Sequence, residues 1–330
     1  MILAGDIGGT KSRLAFFSPE GDARAAVDER SLPSRDYPGL AAVLKDFLRA
    51  HPRPVEFTCF GVPGPVRDGR CETPNLPWVV DTRELRRVTG SEVVLINDLE
   101  ATGYGIPTLR PEEFFVLSEG RPDPNGNAVL IAPGTGLGEG ILFWDGSRHR
   151  PSPSEGGHCT FAARTALEID FKVRLQKRYD HVSFDRVVSG SGLRRLYNFL
   201  KETGYAEEPD WLAREIAAAD DPAVVISRVA IEEKSELCVK ALDMWTSIFG
   251  TEAGNLALKA LATAGVYVGG GIAPKILPKL KDGTFLTAFH DKGRLSSVLG
   301  QIPVRVILND KAALYGTAHY ALEHRKRAAH

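Results

Sequence analysis

Two glycine-rich turns constrain this chain more than any other feature. GDIGGTKS (Gly5–Ser12) and PGTGLGEG (Pro133–Gly140) are each entered and left by apolar, β-branched or aromatic residues, so both read as strand, turn, strand. The first is not a Walker A loop: Thr10 stands where that motif needs its second glycine, and SRLAFF after Lys11 continues as a strand rather than a helix. The second lacks GxGxxG spacing and is again followed by a strand, which excludes a Rossmann fingerprint. What remains is a phosphate-binding hairpin used twice. Gly8 and Gly9 let backbone amides approach phosphate oxygens, Thr10 and Lys11 add donors, and Asp6 is placed to hold a hydrated metal. Gly134, Thr135 and Gly136 repeat the scheme. One glycine turn alone would mean little; two of matching type suit two lobes closing on opposite sides of one polyphosphate.

The rest of the chain is consistent with a two-lobed α/β enzyme. At 330 residues and 43% hydrophobic it can bury a core larger than one ordinary domain needs. Strands are expected at Ile2 to Leu3, Arg13 to Phe17 and Val55 to Val62, and in VVLIND, NAVLIAP, VYVGGGI and VRVILND. Leu40, Val43, Leu44, Phe47 and Leu48 fall at helical spacing, and amphipathic stretches run around Thr165 to Tyr179, from Val224 to Thr263 and through the final KAALYGTAHYALEHRKR. The net charge of −1 gives no electrostatic reason to expect nucleic acid or an anionic membrane as partner. Without a leader pattern or a long apolar run, the expected address is cytoplasmic. Four scattered cysteines, without CxxC, encode no local zinc site and read as mostly buried free thiols. The basic tail HRKRAAH reads as a solvated helix end.

Three further segments carry candidate chemistry. Asn97 and Asp98 end a strand, where open α/β sheets place ligand groups, although Asn and Asp also favour helix caps. Glu155, Gly156, Gly157 and His158 combine acceptor, flexible backbone and ring nitrogen, which suits several hydroxyls of a neutral sugar. Gly269, Gly270 and Gly271 would form a flat backbone wall for adenine; a tight strand end is the plainer alternative.

Taken in order, GDIGGTK, LPW after Asn75, INDLEATGYGIP, APGTGLGEG, SEGGH, HVSFDRVVSGSGL, GNLAL, GGGIAPK and FHDKGR resemble the bacterial glucokinase family over nearly the whole chain. The resemblance implies an actin-like ATPase (ribonuclease H-like) fold, α/β with a mixed sheet flanked by helices in each lobe. It implies ATP and Mg²⁺ as cofactors, with Gly5, Asp6, Ile7, Gly8, Gly9, Thr10, Lys11, Gly134, Thr135, Gly136, Gly270 and Gly271 at the nucleotide. Asp98 becomes the general base, and Asn97, Glu155 and His158 its companions on glucose. The family usually has a second sugar-binding glutamate where this chain has Asp185, one methylene shorter. The ROK group's cysteine cluster is missing after GHCTFAARTAL, and the loop starting at Gly5 leaves no place for a DNA-reading domain before it. The expected lobes are 1–108 plus 310–330 and 109–309, with hinges near 105–110 and 308–312. Expected partners are glucose and ATP, with a homodimer left open, and another hexose kinase or a non-catalytic sugar sensor are the rival readings.

Overall fold

The computed structural model describes residues 1–74 and 76–328, so Asn75 and the last two residues of the basic tail lie outside the described chain. Two compact units form: one from Met1–Glu113, Arg150–Pro153 and the segment from Asn309 onward, the other from Phe114–His149 and Ser154–Leu308.

The first unit contains strands β1 (Ile2–Ile7), β2 (Lys11–Phe17), β3 (Ala26–Pro33), β4 (Phe57–Val62), β5 (Arg70–Glu72), β6 (Val79–Asp81) and β7 (Glu92–Asn97). Five make a mixed sheet in the order β3-β2-β1-β4-β7; β5 and β6 pair separately. β1 runs antiparallel to β2 and parallel to β4. Alternation in β1 sends Leu3 and Ile7 to one face, with the helix Leu40–Ala50, and Ile2 and Ala4 to the other. On that second face lie the helices Asp98–Gly105 and Ala312–Ala328, whose Ala101, Leu314 and Ala318 are fully buried. The two helices pack backbone to backbone. A Cβ on Gly105 would overlap the Ala312 carbonyl, and one on Gly316 would overlap that of Ala101.

The second unit repeats the plan with β8 (Phe114–Ser118), β9 (Ala128–Pro133), β10 (Leu137–Trp144), β12 (Gly265–Val268) and β13 (Val304–Ile307), while β11 (His149–Ser154) has its two end residues in this unit and Arg150–Pro153 in the first. Neighbouring strands run β10-β9-β12-β13-β8, with β9 antiparallel to β10 and parallel to β12, as β1 is to β2 and β4. The stretch from Val224 to Thr263 resolves into helices Pro222–Ile231 and Glu236–Ala260, broken where Glu233 takes a left-handed φ of 54°. The longer helix buries Leu237, Leu242, Trp245, Phe249 and Leu256 in the unit's core. Among the described residues no helix is long and apolar enough to cross a membrane.

Candidate active site

The first glycine turn is shorter than its motif. Gly5, Asp6 and Ile7 belong to β1, and Gly5 is core, pressed between Leu14 and Phe60; the turn itself is Gly8 to Thr10. The Gly8 amide donates to the Lys11 carbonyl at 3.0 Å, closing the hairpin. From the end of β3, the fully buried Ser34 hydroxyl donates to the Gly8 carbonyl at 2.7 Å and meets Ser12 Oγ at 2.8 Å, while the Ser34 amide donates to the Thr10 carbonyl at 3.0 Å. Among the described residues nothing accepts from the Gly9 and Thr10 amides. Two amides without an acceptor among the described residues, beside exposed Thr10 and Lys11, are what an anion requires.

Asp6 sits partly buried behind this turn, and desolvation pushes its carboxyl up to about 6 despite Arg13 and Lys11, with Asp310 adding to the rise. A cation beside it would offset that penalty, so Asp6 fits the role of holding hydrated Mg²⁺, which needs few protein ligands. Arg13 is itself held by Asp310, through Oδ2 at 2.7 Å and the carbonyl at 2.9 Å. Sequence reasoning missed Arg13, Ser34 and Asp310. A signal existed for the last: ILND at the end of β13 echoes LIND at the end of β7.

The second turn, Gly134 to Gly136, closes by a Gly134 amide to Gly136 carbonyl bond of 2.8 Å. Its anchors come from the VSFDRVVSG segment: the Leu137 amide donates to Asp185 Oδ1 at 2.7 Å and the Gly190 amide to the Gly134 carbonyl at 3.0 Å. Among the described residues nothing accepts from the Thr135 and Gly136 amides. Gly270, at φ 78°, packs so closely on the Pro133 carbonyl that no Cβ fits, which brings the Gly269–Gly271 run against the loop's start; Gly271 has open space beside it.

Asn97 and Asp98 share the carboxyl end of β7 but not the same work. Asn97 is a full capping box: Oδ1 accepts from the Leu99 amide at 2.9 Å, and the Glu100 carboxylate returns to the Asn97 amide at 3.4 Å. Its Nδ2 also donates to the Gly64 carbonyl at 3.2 Å. Asp98 is the first helical residue, with Oδ1 accepting from its neighbour Leu99 at 2.9 Å. The helix-cap reading of the pair thus falls to Asn97.

In the second unit, Glu155 and His158 are exposed on a one-turn 3₁₀ helix, Gly156–His158, with His158 Nδ1 3.6 Å from Glu155 Oε2. The two glycines are required there. A Cβ on Gly156 would overlap Glu139, and one on Gly157 the Leu137 carbonyl. Glu139, unnoticed in the sequence, is 1% exposed with Oε1 unpartnered. Burial first and Glu252 second raise its carboxyl to about 8, with Lys259 opposing. Cys59, Cys71 and Cys238 are buried and Cys159 is exposed, all as free thiols.

A glucokinase family model matches residues 3–324. The chain belongs to the glucokinase family. A glucokinase of Nostoc punctiforme is 37% identical over 333 residues, covering 96% of this chain and 98% of the relative. A glucokinase crystal structure from an Antarctic psychrotroph superposes with TM-score 0.82 at 30% identity, covering 98% of both chains. A ROK-family glucokinase from Streptomyces griseus, solved with glucose and AMPPNP, has TM-score 0.66 at 19% identity and bears on the fold alone. Membership makes this chain an enzyme, a hexose kinase of the actin-like ATPase fold, as the motif order implied.

Proposed function

We propose that this glucokinase-family chain transfers the γ-phosphoryl group of ATP to the 6-hydroxyl of glucose, with Asp98 as general base. The observation that carries this reading is the division of labour at the end of β7. Asn97 supplies the full capping box, and Asp98, whose Oδ1 accepts from the Leu99 amide, follows it directly at a strand end, where a carboxylate is suited to receiving a proton. Asn97, Glu155, His158 and Asp185 bind the sugar hydroxyls. The amides of Gly9, Thr10, Thr135 and Gly136, which have no acceptor among the described residues, receive phosphate oxygens with Lys11, and Gly270 and Gly271 lie along the adenosine. Mg²⁺, when bound near Asp6, offsets phosphate charge; the chain's own residues orient the hydroxyl and take its proton. The glucokinase family model over residues 3–324 and the 37% identical glucokinase of Nostoc punctiforme support glucose and ATP as the substrates. Dependence on ATP supports a cytoplasmic setting.

A coupled assay across hexoses with ATP, run on the unaltered chain and on Asp98→Asn, tests the reading. Asp98→Asn keeps the side-chain shape and removes the proton acceptor, so kcat should fall by about 10²- to 10⁴-fold with little change in glucose binding. Near-normal kcat in that variant would remove Asp98 from the mechanism.

A further inference from the structure

Three segments of the second unit are laced around one carboxylate. The Leu137 amide, leaving the glycine loop, donates to Asp185 Oδ1 at 2.7 Å, and a Cβ on Gly136 would overlap that same oxygen. The loop backbone thus lies directly on the carboxylate. On its other side, the Phe184 amide donates to the Cys159 carbonyl at 3.0 Å and the Phe161 amide to Val182 at 2.9 Å. These bonds fasten the Asp185 segment to the residue that follows His158. The short helix Phe184–Val187, capped by buried Ser183, fixes Asp185 between the two. Asp185 is partly exposed, and among the described residues its Oδ2 has no hydrogen-bond partner.

We propose that Asp185 joins the nucleotide and sugar subsites of this unit: Oδ1 holds the second phosphate loop in its binding shape while Oδ2 accepts a sugar hydroxyl. One side chain then couples the two affinities. This rests on the phosphotransfer reading above and adds a positioning role to a residue otherwise assigned to the sugar alone. The shorter aspartate suits the dual role, since its carboxylate reaches the Leu137 amide from a helix already tied down at both ends. By linkage, whatever glucose gains from a preset loop the nucleotide gains from bound glucose.

Calorimetric titration with a non-hydrolysable ATP analogue, with and without saturating glucose, tests the inference on the full chain. Asp185→Ala should weaken analogue binding without sugar by about tenfold and shrink the gain that glucose brings. Asp185→Asn keeps an oxygen for the Leu137 amide, so its sugar-free analogue affinity should stay within about twofold of the unaltered chain while glucose affinity falls. Hydrogen exchange across the loop should quicken in the alanine variant and not in the asparagine variant. Unchanged sugar-free analogue affinity in Asp185→Ala, or equal weakening in both variants, would overturn the positioning role. If the alanine variant does not fold, Gly136→Ala pushes the loop off the same oxygen and gives the same readout. Failure of the unaltered chain to phosphorylate glucose would instead count against the phosphotransfer reading, with the sugar-free analogue results still deciding the positioning role.

Discussion

The two glycine turns occupy equivalent places, between β1 and β2 and between β9 and β10, yet they are held by different chemistry. Ser34, neutral and fully buried, anchors the first; Asp185, charged and partly exposed, anchors the second. The first turn shows that a hydroxyl and two backbone groups are enough to hold this shape. A carboxylate beside incoming phosphates works against binding by Coulomb repulsion, so the charge at the second turn has to be there for something besides the loop. Oδ2, which has no hydrogen-bond partner among the described residues, is the atom proposed above to meet that need.

The largest expected effect separates the turns by space. Gly136→Ala should raise the KM for ATP by about tenfold or more, because its Cβ overlaps a fixed carboxylate and overpacking costs about 1–3 kcal/mol. Gly8→Ala meets only the Lys11 carbonyl, at 3.1 Å, and should raise it less. Steady-state kinetics with varied ATP decides, and the reverse order would break the comparison. Next, Ser34→Ala strips the Gly8 carbonyl and Ser12 hydroxyl of a buried partner and should cost about 1–3 kcal/mol in denaturant unfolding. A loss no greater than that of an exposed serine would show that the hydroxyl does not hold the turn.

A gentler contrast lies in two acids whose carboxyls are raised by desolvation. Glu139 has its folded value raised to about 8 from 4.5, so the folded state holds the proton more tightly than the unfolded one. Between those values the unfolded chain binds fewer protons, and stability contributed at this site falls as pH rises towards 8 and then levels. Glu139→Gln removes the loss. Its advantage in Tm over the unaltered chain should therefore grow from about pH 5 to pH 8; a constant difference would contradict the assignment. For Asp6, raised only to about 6, the same decline ends near pH 6. The smallest effect belongs to Gly134→Ala, where no atom lies within 4 Å of the new Cβ: KM for ATP should change by less than about twofold.

Legibility in the sequence followed hydrophobic contrast. Both hairpins were readable because glycines interrupt runs of buried residues, and the helix Leu40–Ala50 because its Leu40, Val43, Leu44 and Phe47 are all buried on one face. β3 escaped notice for the opposite reason: AVDERSLP is an edge strand with only Leu32 buried, so it carries no apolar period. Its loss hid Ser34 as well. The strand at Ile2 to Leu3 extends to Ile7 because Gly5 is a packing glycine, filling a gap between Leu14 and Phe60 rather than making a turn. Nothing within GEG marks Glu139, and only the fold reveals that β10 turns it inward, 1% exposed and near Glu252. Asp185 was legible as a departure from the family, but its bond to Leu137 joins residues that no local pattern connects.

The glycine-to-carbonyl packing of Gly105 on Ala312 and Gly316 on Ala101 has a consequence for how the protein is made. The helix that starts with Asp98 is backed by one that the ribosome delivers only after residues 114–308. Residues 1–113 cannot complete their sheet's second face until Leu314, Ala318 and Leu322 have emerged. At about 5–20 residues per second, the intervening 114–308 take roughly 10 to 40 s to synthesise. For that interval Ile2, Ala4, Phe17 and Ile96 are covered by the helix Asp98–Gly105 alone, without Leu314, Ala318 and Leu322.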